Sequence, residues 1–183
     1  MIRRIISSVT LSLALVVSCA GAEGLRERTL LIPARGTLVL LSPPSWSHKM
    51  SHPPAELAPT IRFSSTAGQK FTVSITAFWS PANDSSFNSS AKVRAIVEDT
   101  VEELAPLMSD TDIAILELRG IFGGGYYFSA TDKAPRSDEH KYLTQGAMAV
   151  DDLLLTFTVL TDKADSSIVK TALDVLRSAR RGT

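Results

Sequence analysis

This chain of 183 residues is poor in several things, and each scarcity closes a door. It has one cysteine, Cys19, so it can form no intrachain disulfide and no cysteine-ligated metal cluster. Its apolar run from Val9 to Val17 contains Ser12 and falls well short of the roughly 20 residues of a membrane-spanning helix. It lacks an excess of either charge: 19 basic residues face 19 acidic ones. With the signs interspersed, nothing recruits nucleic acid or an anionic membrane by charge. No Gly-x-Ser-x-Gly, Ser-x-x-Lys or His-Glu-x-x-His pattern occurs, so no activated nucleophile or zinc-protease helix is legible. The expectation is a protein that is not an enzyme and needs no cofactor.

What is present begins with a leader. Arg3 and Arg4 precede the short apolar run, and small residues follow it, which is the layout of a secretion signal. Two exits are written there. Ala20, Gly21 and Ala22 make a small-x-small cleavage site before Glu23, giving a signal of residues 1–22. Val16, Val17, Ser18 and Cys19 resemble a bacterial lipobox, which would end the signal at residue 18 and leave Cys19 lipidated at the mature N-terminus. The second exit is favoured; Ala20 would then follow the lipidated residue, and the resemblance to Gram-negative lipoproteins implies sorting to the outer membrane, since an aspartate there is the usual retention signal. Removing Arg3 and Arg4 leaves 17 basic against 19 acidic residues, a net charge of −2. The expected location is periplasmic, with any membrane attachment made through the lipid alone.

About 160 remaining residues fit one domain with its own core. Residues 23–28 read as a short polar tether, and the domain runs from Thr29 to Thr183. Thr29–Ile32 and Gly36–Ser42 predict a hairpin about Pro33 and Gly36. Ser45–Pro59, interrupted by prolines, predicts an irregular loop with Trp46 as its aromatic anchor. Ile61–Ser64 and Lys70–Trp79 read as strands, the latter alternating Phe71, Val73, Ile75, Ala77 with Thr72, Ser74, Thr76. Ala91 to Met108 predicts a helix of about five turns, with Pro106 in its last turn and Glu98, Asp99, Glu102 and Glu103 on its solvated face. Strands follow at Ile113–Arg119, Tyr126–Thr131, His140–Val150 and Leu153–Thr161, with a tight corner at Asp151–Asp152. A closing helix capped by Asp165 or Ser166 carries Ile168, Val169, Ala172, Leu173, Leu176 and Ala179 inward, with Arg177, Arg180 and Arg181 near its negative end. The fold class is α+β: a single domain with an antiparallel sheet flanked by helices.

Candidate sites are few. Gly120, Gly123, Gly124 and Gly125 resemble a phosphate loop in composition only, since no lysine follows and a strand comes next; a wide hairpin bend is the expected reading. His48 and His52 stand four apart, but Pro53 and Pro54 argue against the helix that would make the pair a metal site. Asp132, Lys133, Asp138, Glu139, His140 and Lys141 gather acids, a base and a histidine around one loop, where solvated mixed charge is the plainer account. Alternation sends Tyr126 and Phe128 to one side of a strand and Tyr127 to the other.

The run Gly36-Thr37-Leu38-Val39-Leu40-Leu41-Ser42-Pro43-Pro44-Ser45-Trp46 resembles the strand, proline and tryptophan entry of the PsbP-like superfamily. Leu153–Val159 followed by a terminal helix resembles its close. Residues between Gly123 and Gln145 are similar to those of proteobacterial envelope proteins. The resemblance implies an α/β/α sandwich of the Mog/PsbP-like kind and an accessory or binding role, with no catalytic residues to carry over. The leading expectation is therefore a non-catalytic envelope protein that binds an unknown protein partner through a rim of Trp46, His48, His52, Tyr127, Asp132, Lys133 and His140. The alternatives are a small-ligand or metal module using His48, His52 and His140, and a hydrolase without a recognisable motif built on His140, Asp132 and Lys133. If the lipobox is functional, Cys19→Ala abolishes incorporation of radiolabelled fatty acid; undiminished labelling of that variant refutes it.

Overall fold

The computed structural model describes residues 24–182 except 34, 52, 53, 55, 56, 81–83, 165 and 166. The leader, Cys19, His52 and the cap of the last helix lie outside the described residues.

The alternating strands build a seven-stranded antiparallel sheet from β3 (Trp46–Ser51), β4 (Thr60–Ser65), β5 (Phe71–Trp79), β6 (Leu116–Arg119), β7 (Gly123–Thr131), β8 (Tyr142–Val150) and β9 (Leu153–Thr161). Their order across the sheet is β3-β4-β5-β9-β8-β7-β6. A smaller sheet joins β1 (Arg26–Ile32), β2 (Gly36–Ser42) and β10 (Arg180–Gly182) in the order β1-β2-β10. Among the described residues two helices complete the fold: α1 (Ser90–Leu104), ending in a 3₁₀ turn at Ala105–Leu107, and α2 (Ser167–Arg177).

One face of the large sheet builds the main core. Ile61 and Phe63, Phe71 to Ala77, Met148 and Val150, and Leu153 to Val159 alternate onto it. They meet Ala172, Leu173, Val175 and Leu176 of α2 and Leu30, Ile32, Leu38 and Leu40 of the small sheet. The opposite face carries a smaller cluster, in which Val93 and Val97 of α1 pack on Phe128, Ala130, Ala147 and Leu154. On α2, hydrogen bonding from Lys170 holds the Asp174 carboxyl below the usual carboxylate range, a lowering that Arg177 reinforces against partial burial.

Several boundaries differ from the sequence reading, each for a physical reason. The tether is shorter than residues 23–28, because Arg26, Glu27 and Arg28 pair in register with Ser42, Leu41 and Leu40. Arg28 also donates to Ser42 Oγ at 3.1 Å and to the Trp46 carbonyl at 3.2 Å. The predicted irregular loop starts with a regular ladder, since β3 pairs with β4 from Trp46↔Ser65 to Ser51↔Thr60. Its described prolines, Pro54 and Pro59, lie beyond the last paired residues and cost no ladder bond. The glycine-rich bend is mostly strand: only Gly120–Phe122 turns, and Gly123, Gly124 and Gly125 pair with Val150, Ala149 and Met148. A Cβ on Gly125 would collide with the Ala147 carbonyl, and one on Gly146 with the Tyr126 carbonyl. Glycine is thus demanded there by close backbone approach in the sheet.

The long helix is shorter than five turns, since Pro106 tightens it into the 3₁₀ turn and Met108 leaves it to bridge to Asp132. The strand predicted from Ile113 starts at Leu116, while Ile113 and Ile115 pack under α1. Arg180 and Arg181 are not helical. They pair with Val39 and Leu38 of β2, and Arg180 donates to Glu27 at 2.7 Å.

Leu173 is 6% exposed in the main core, so Leu173→Ala costs about 2–5 kcal/mol in a urea titration. Leu104 is only partly buried at the edge of the smaller cluster, and Leu104→Ala costs clearly less. Equal midpoints for the two variants contradict this packing.

Candidate functional site

Strand register alone assembles one group of polar side chains. Phe71 of β5 lies opposite Thr161 of β9, which lies opposite Tyr142 of β8. The residues just beyond these three ends therefore emerge along one rim: Lys70, Asp162 and the pair His140–Lys141. Ser167 and Ile168, which open α2, close the rim from the core side.

At this rim His140 Nδ1–H donates to Asp162 Oδ1 at 2.7 Å, with the two side chains 20% and 45% exposed. Because a carboxylate only accepts, the contact places the imidazole proton on Nδ1 and leaves the Nε2 lone pair free in the neutral ring. Two depressions meet here. One of about 600 Å³ is lined by Gln69, Lys70, Thr161, Asp162, Lys163, Ser167 and Ile168. The other, of about 230 Å³, is lined by Lys70, residues 137–141 and Asp162. Lys70 and Asp162 belong to both.

The loop carrying His140 is held by main-chain bonds. Asp132 N–H donates to the Lys141 carbonyl at 2.9 Å, and Lys133 N–H to the Leu107 carbonyl at 3.0 Å. Ser109 N–H donates to the Thr131 carbonyl at 2.9 Å. Asp132 Oδ1 accepts from Ala134 N–H at 2.8 Å, a side-chain turn that shapes the loop. Asp132 is thus a structural residue of this loop, and Lys133 stands exposed on the side toward α1. Neither lines the cleft with His140.

The predicted rim does not form one surface. Trp46 is a core residue, 4% exposed, with its ring 5.8 Å from Phe63 and 4.9 Å from Phe71. Tyr127 is half-buried against the main core. Tyr126 is half-buried as well, under Arg94 and 3.1 Å from Ser90 Oγ. His48 is exposed on edge strand β3, at 6.2 Å from the Phe63 ring. The last β3–β4 pair, Ser51↔Thr60, lies at the end of the sheet opposite the 132–141 loop. His48 and His140 are separated by four strand spacings, roughly 19 Å, so they share no metal site. Among the described residues no three of His, Cys, Asp and Glu converge to hold a metal ion.

The cleft can bind and orient a ligand, with a histidine acceptor, lysine cations and a helix start on one rim. It shows no serine, threonine or lysine hydrogen-bonded to the imidazole among the described residues. Asp162 and Lys70 went unrecognised in the sequence. Neither sits near His140 along the chain, and only the pairing of β5, β9 and β8 joins them.

No protein-family model matches the chain, and no curated protein does. Among solved structures it is similar to the cyanobacterial PsbP, CyanoP, of Synechocystis sp. PCC 6803. The TM-score is 0.53 at 14% identity, covering 90% of this chain and 96% of that one. The fold is therefore PsbP-like, consistent with the family resemblance of the opening and closing strands.

If Asp162 sets the tautomer, long-range ¹H–¹⁵N spectra of neutral His140 show the Nδ1–H form, and Asp162→Asn shifts the population toward Nε2–H. An unchanged tautomer ratio in that variant contradicts the contact.

Proposed function

We propose that this is an exported, non-catalytic accessory protein of the cell envelope that binds a protein partner at the sheet end formed by the 132–141 loop and the His140–Asp162 rim. The observation that carries this reading is the tethered loop. A surface held by three main-chain bonds to its neighbours needs little ordering on contact, which lowers the entropic cost of association. The PsbP-like fold supports the accessory class, although fold likeness alone assigns no partner. The leader motif supports export, and the lipobox supports tethering to the outer membrane through Cys19. Neither nucleic acid nor a cofactor enters this reading.

A second reading has support from the larger depression, whose volume of about 600 Å³ lies within the range usual for small-ligand sites. A small anion could be held there by Lys70, Lys163 and the start of α2. Isothermal titration with candidate anions separates this from protein binding.

A photo-crosslinking amino acid at Lys133 or Glu139, introduced in intact cells, is expected to capture one recurrent partner. The same group at exposed Leu57, at the other end of the sheet, is expected to capture none. Adducts only at residue 57 would falsify the placement, and processing that leaves the leader attached in the cytosol would end the export reading.

A further inference from the structure

The large sheet has one face that α1 covers only in part. α1 packs over β7 and β8, and the apolar cluster beneath it extends no further across the sheet than Leu154 of β9. Beyond that boundary the side chains of β9, β5, β4 and β3 stay partly or fully exposed, and their register writes a plane of polar rows. Ser51, Thr60, Thr76 and Thr156 lie side by side, with Thr60 and Thr76 hydroxyls 2.8 Å apart. The next row runs Lys49, Arg62, Ser74, Thr158 and Gln145. Ser47 and Ser64 follow, with hydroxyls 3.0 Å apart.

Two features separate this plane from an ordinary solvated face. First, β3, β4, β5, β8 and β9 contain no aspartate or glutamate. Second, Lys49 and Arg62 are direct cross-strand partners on that face, and neither forms an ion pair among the described residues. Like charges directly opposite one another destabilise a strand pair. The arrangement is frustrated in the free protein and relieved when an anion lies across both cations. The carboxylates Asp99, Glu102 and Glu103 are confined to α1, so repulsion favours an anion over β3–β5.

We infer that this plane is a binding site for an acidic polysaccharide chain. The cations recognise carboxylate or phosphate groups, while the hydroxyl rows and Gln145 exchange hydrogen bonds with sugar hydroxyls. Phe78, 37% exposed on the same face, offers an apolar ring at its edge. A protein partner would call for buried aromatic or aliphatic anchors at the centre of the contact, and the centre here is serine, threonine, lysine and arginine. The site is separate from the His140–Asp162 cleft, so either can fail without the other.

Isothermal titration with a polyuronate hexasaccharide, a neutral glucan hexasaccharide and poly-L-glutamate tests the inference on the mature protein. The polyuronate is expected to bind, with affinity falling steeply as salt rises to about 0.5 M, and the neutral glucan at least roughly tenfold more weakly. The Lys49→Gln/Arg62→Gln pair should lower polyuronate affinity by about tenfold or more, without lowering the urea midpoint, because it removes a repulsion. Thr158→Val, which deletes one hydroxyl at nearly constant shape, should weaken binding severalfold as an independent probe, and Lys70→Gln in the cleft should leave it unchanged. No heat with the polyuronate overturns the proposal. So does equal binding of poly-L-glutamate, which would mark an acidic protein surface as the occupant, or loss of binding in Lys70→Gln alone.

Discussion

Everything in this fold leans on one strand. β9 is paired over its full nine residues on both sides, with β5 from Phe71↔Thr161 to Trp79↔Leu153 and with β8 from Tyr142↔Thr161 to Val150↔Leu153. Leu153, Leu155, Phe157 and Val159 point to the core side, each at most 1% exposed, while Thr156 and Thr158 point the other way. A shift of one residue would turn four large apolar side chains out of the main core and bring threonines inside, so the register is strongly specified. The two-residue corner at Asp151 and Asp152, with Asp151 at positive φ, pins the β8–β9 register from its other end.

That constraint divides the two faces into different work. The core side must be continuous, because α2 and the small sheet both close on it. Trp46 fastens the joint by packing at a tilt against Phe63 and Phe71 where the chain passes from β2 into β3. The other side needs apolar residues only where α1 lands. Phe128, Ala130, Ala147 and Leu154 fill that footprint, and the strands outside it are free to carry hydroxyls and cations. A single 15-residue helix cannot cover a seven-stranded sheet about 30 Å wide. The open plane is therefore a geometric consequence of the element count, and its lack of carboxylates is the part that chain length and topology do not dictate.

The strands of strict alternation were legible in the sequence because period-two patterning is a local signal: β5 lies within the Lys70–Trp79 read from the sequence, one residue shorter at its start, and β9 coincides with Leu153–Thr161. The opening hairpin and both helices were legible for similar reasons. β3 was hidden because His48, Lys49 and Ser51 are exposed on an edge strand, so its sequence WSHKMS has little apolar alternation. The start of β7 was hidden because glycine reads as a turn unless the neighbouring backbone is known to approach too closely for a Cβ. β10 was hidden because Arg180 and Arg181 look like helix-end cations, and only the proximity of Glu27 and β2 gives them strand partners. In each case the missing information was a contact distant in sequence.

The site follows the same rule with a sharper consequence. Asp162 and Lys70 each stand one residue beyond a paired strand end, and His140 two residues before β8, so the distance between imidazole and carboxylate is inherited from the β5–β9–β8 register. No adjustable hinge intervenes on the Asp162 side, where Thr161 Oγ1 donates to the Lys163 carbonyl at 2.9 Å and fixes the turn. The imidazole is therefore presented by the frame itself, and its loop is tied to the end of α1 through Leu107 and Ser109. Specificity at this rim can change through the side chains of residues 133–139 alone, because altering the dyad's geometry would require moving strands that also bury Phe157 and Val159. Such rigidity fits the partner binding proposed for this rim, since rigid backbones at an interface move little on binding. Loop variation over an unmoving dyad is the economical way for such a fold to acquire a new ligand while keeping its core.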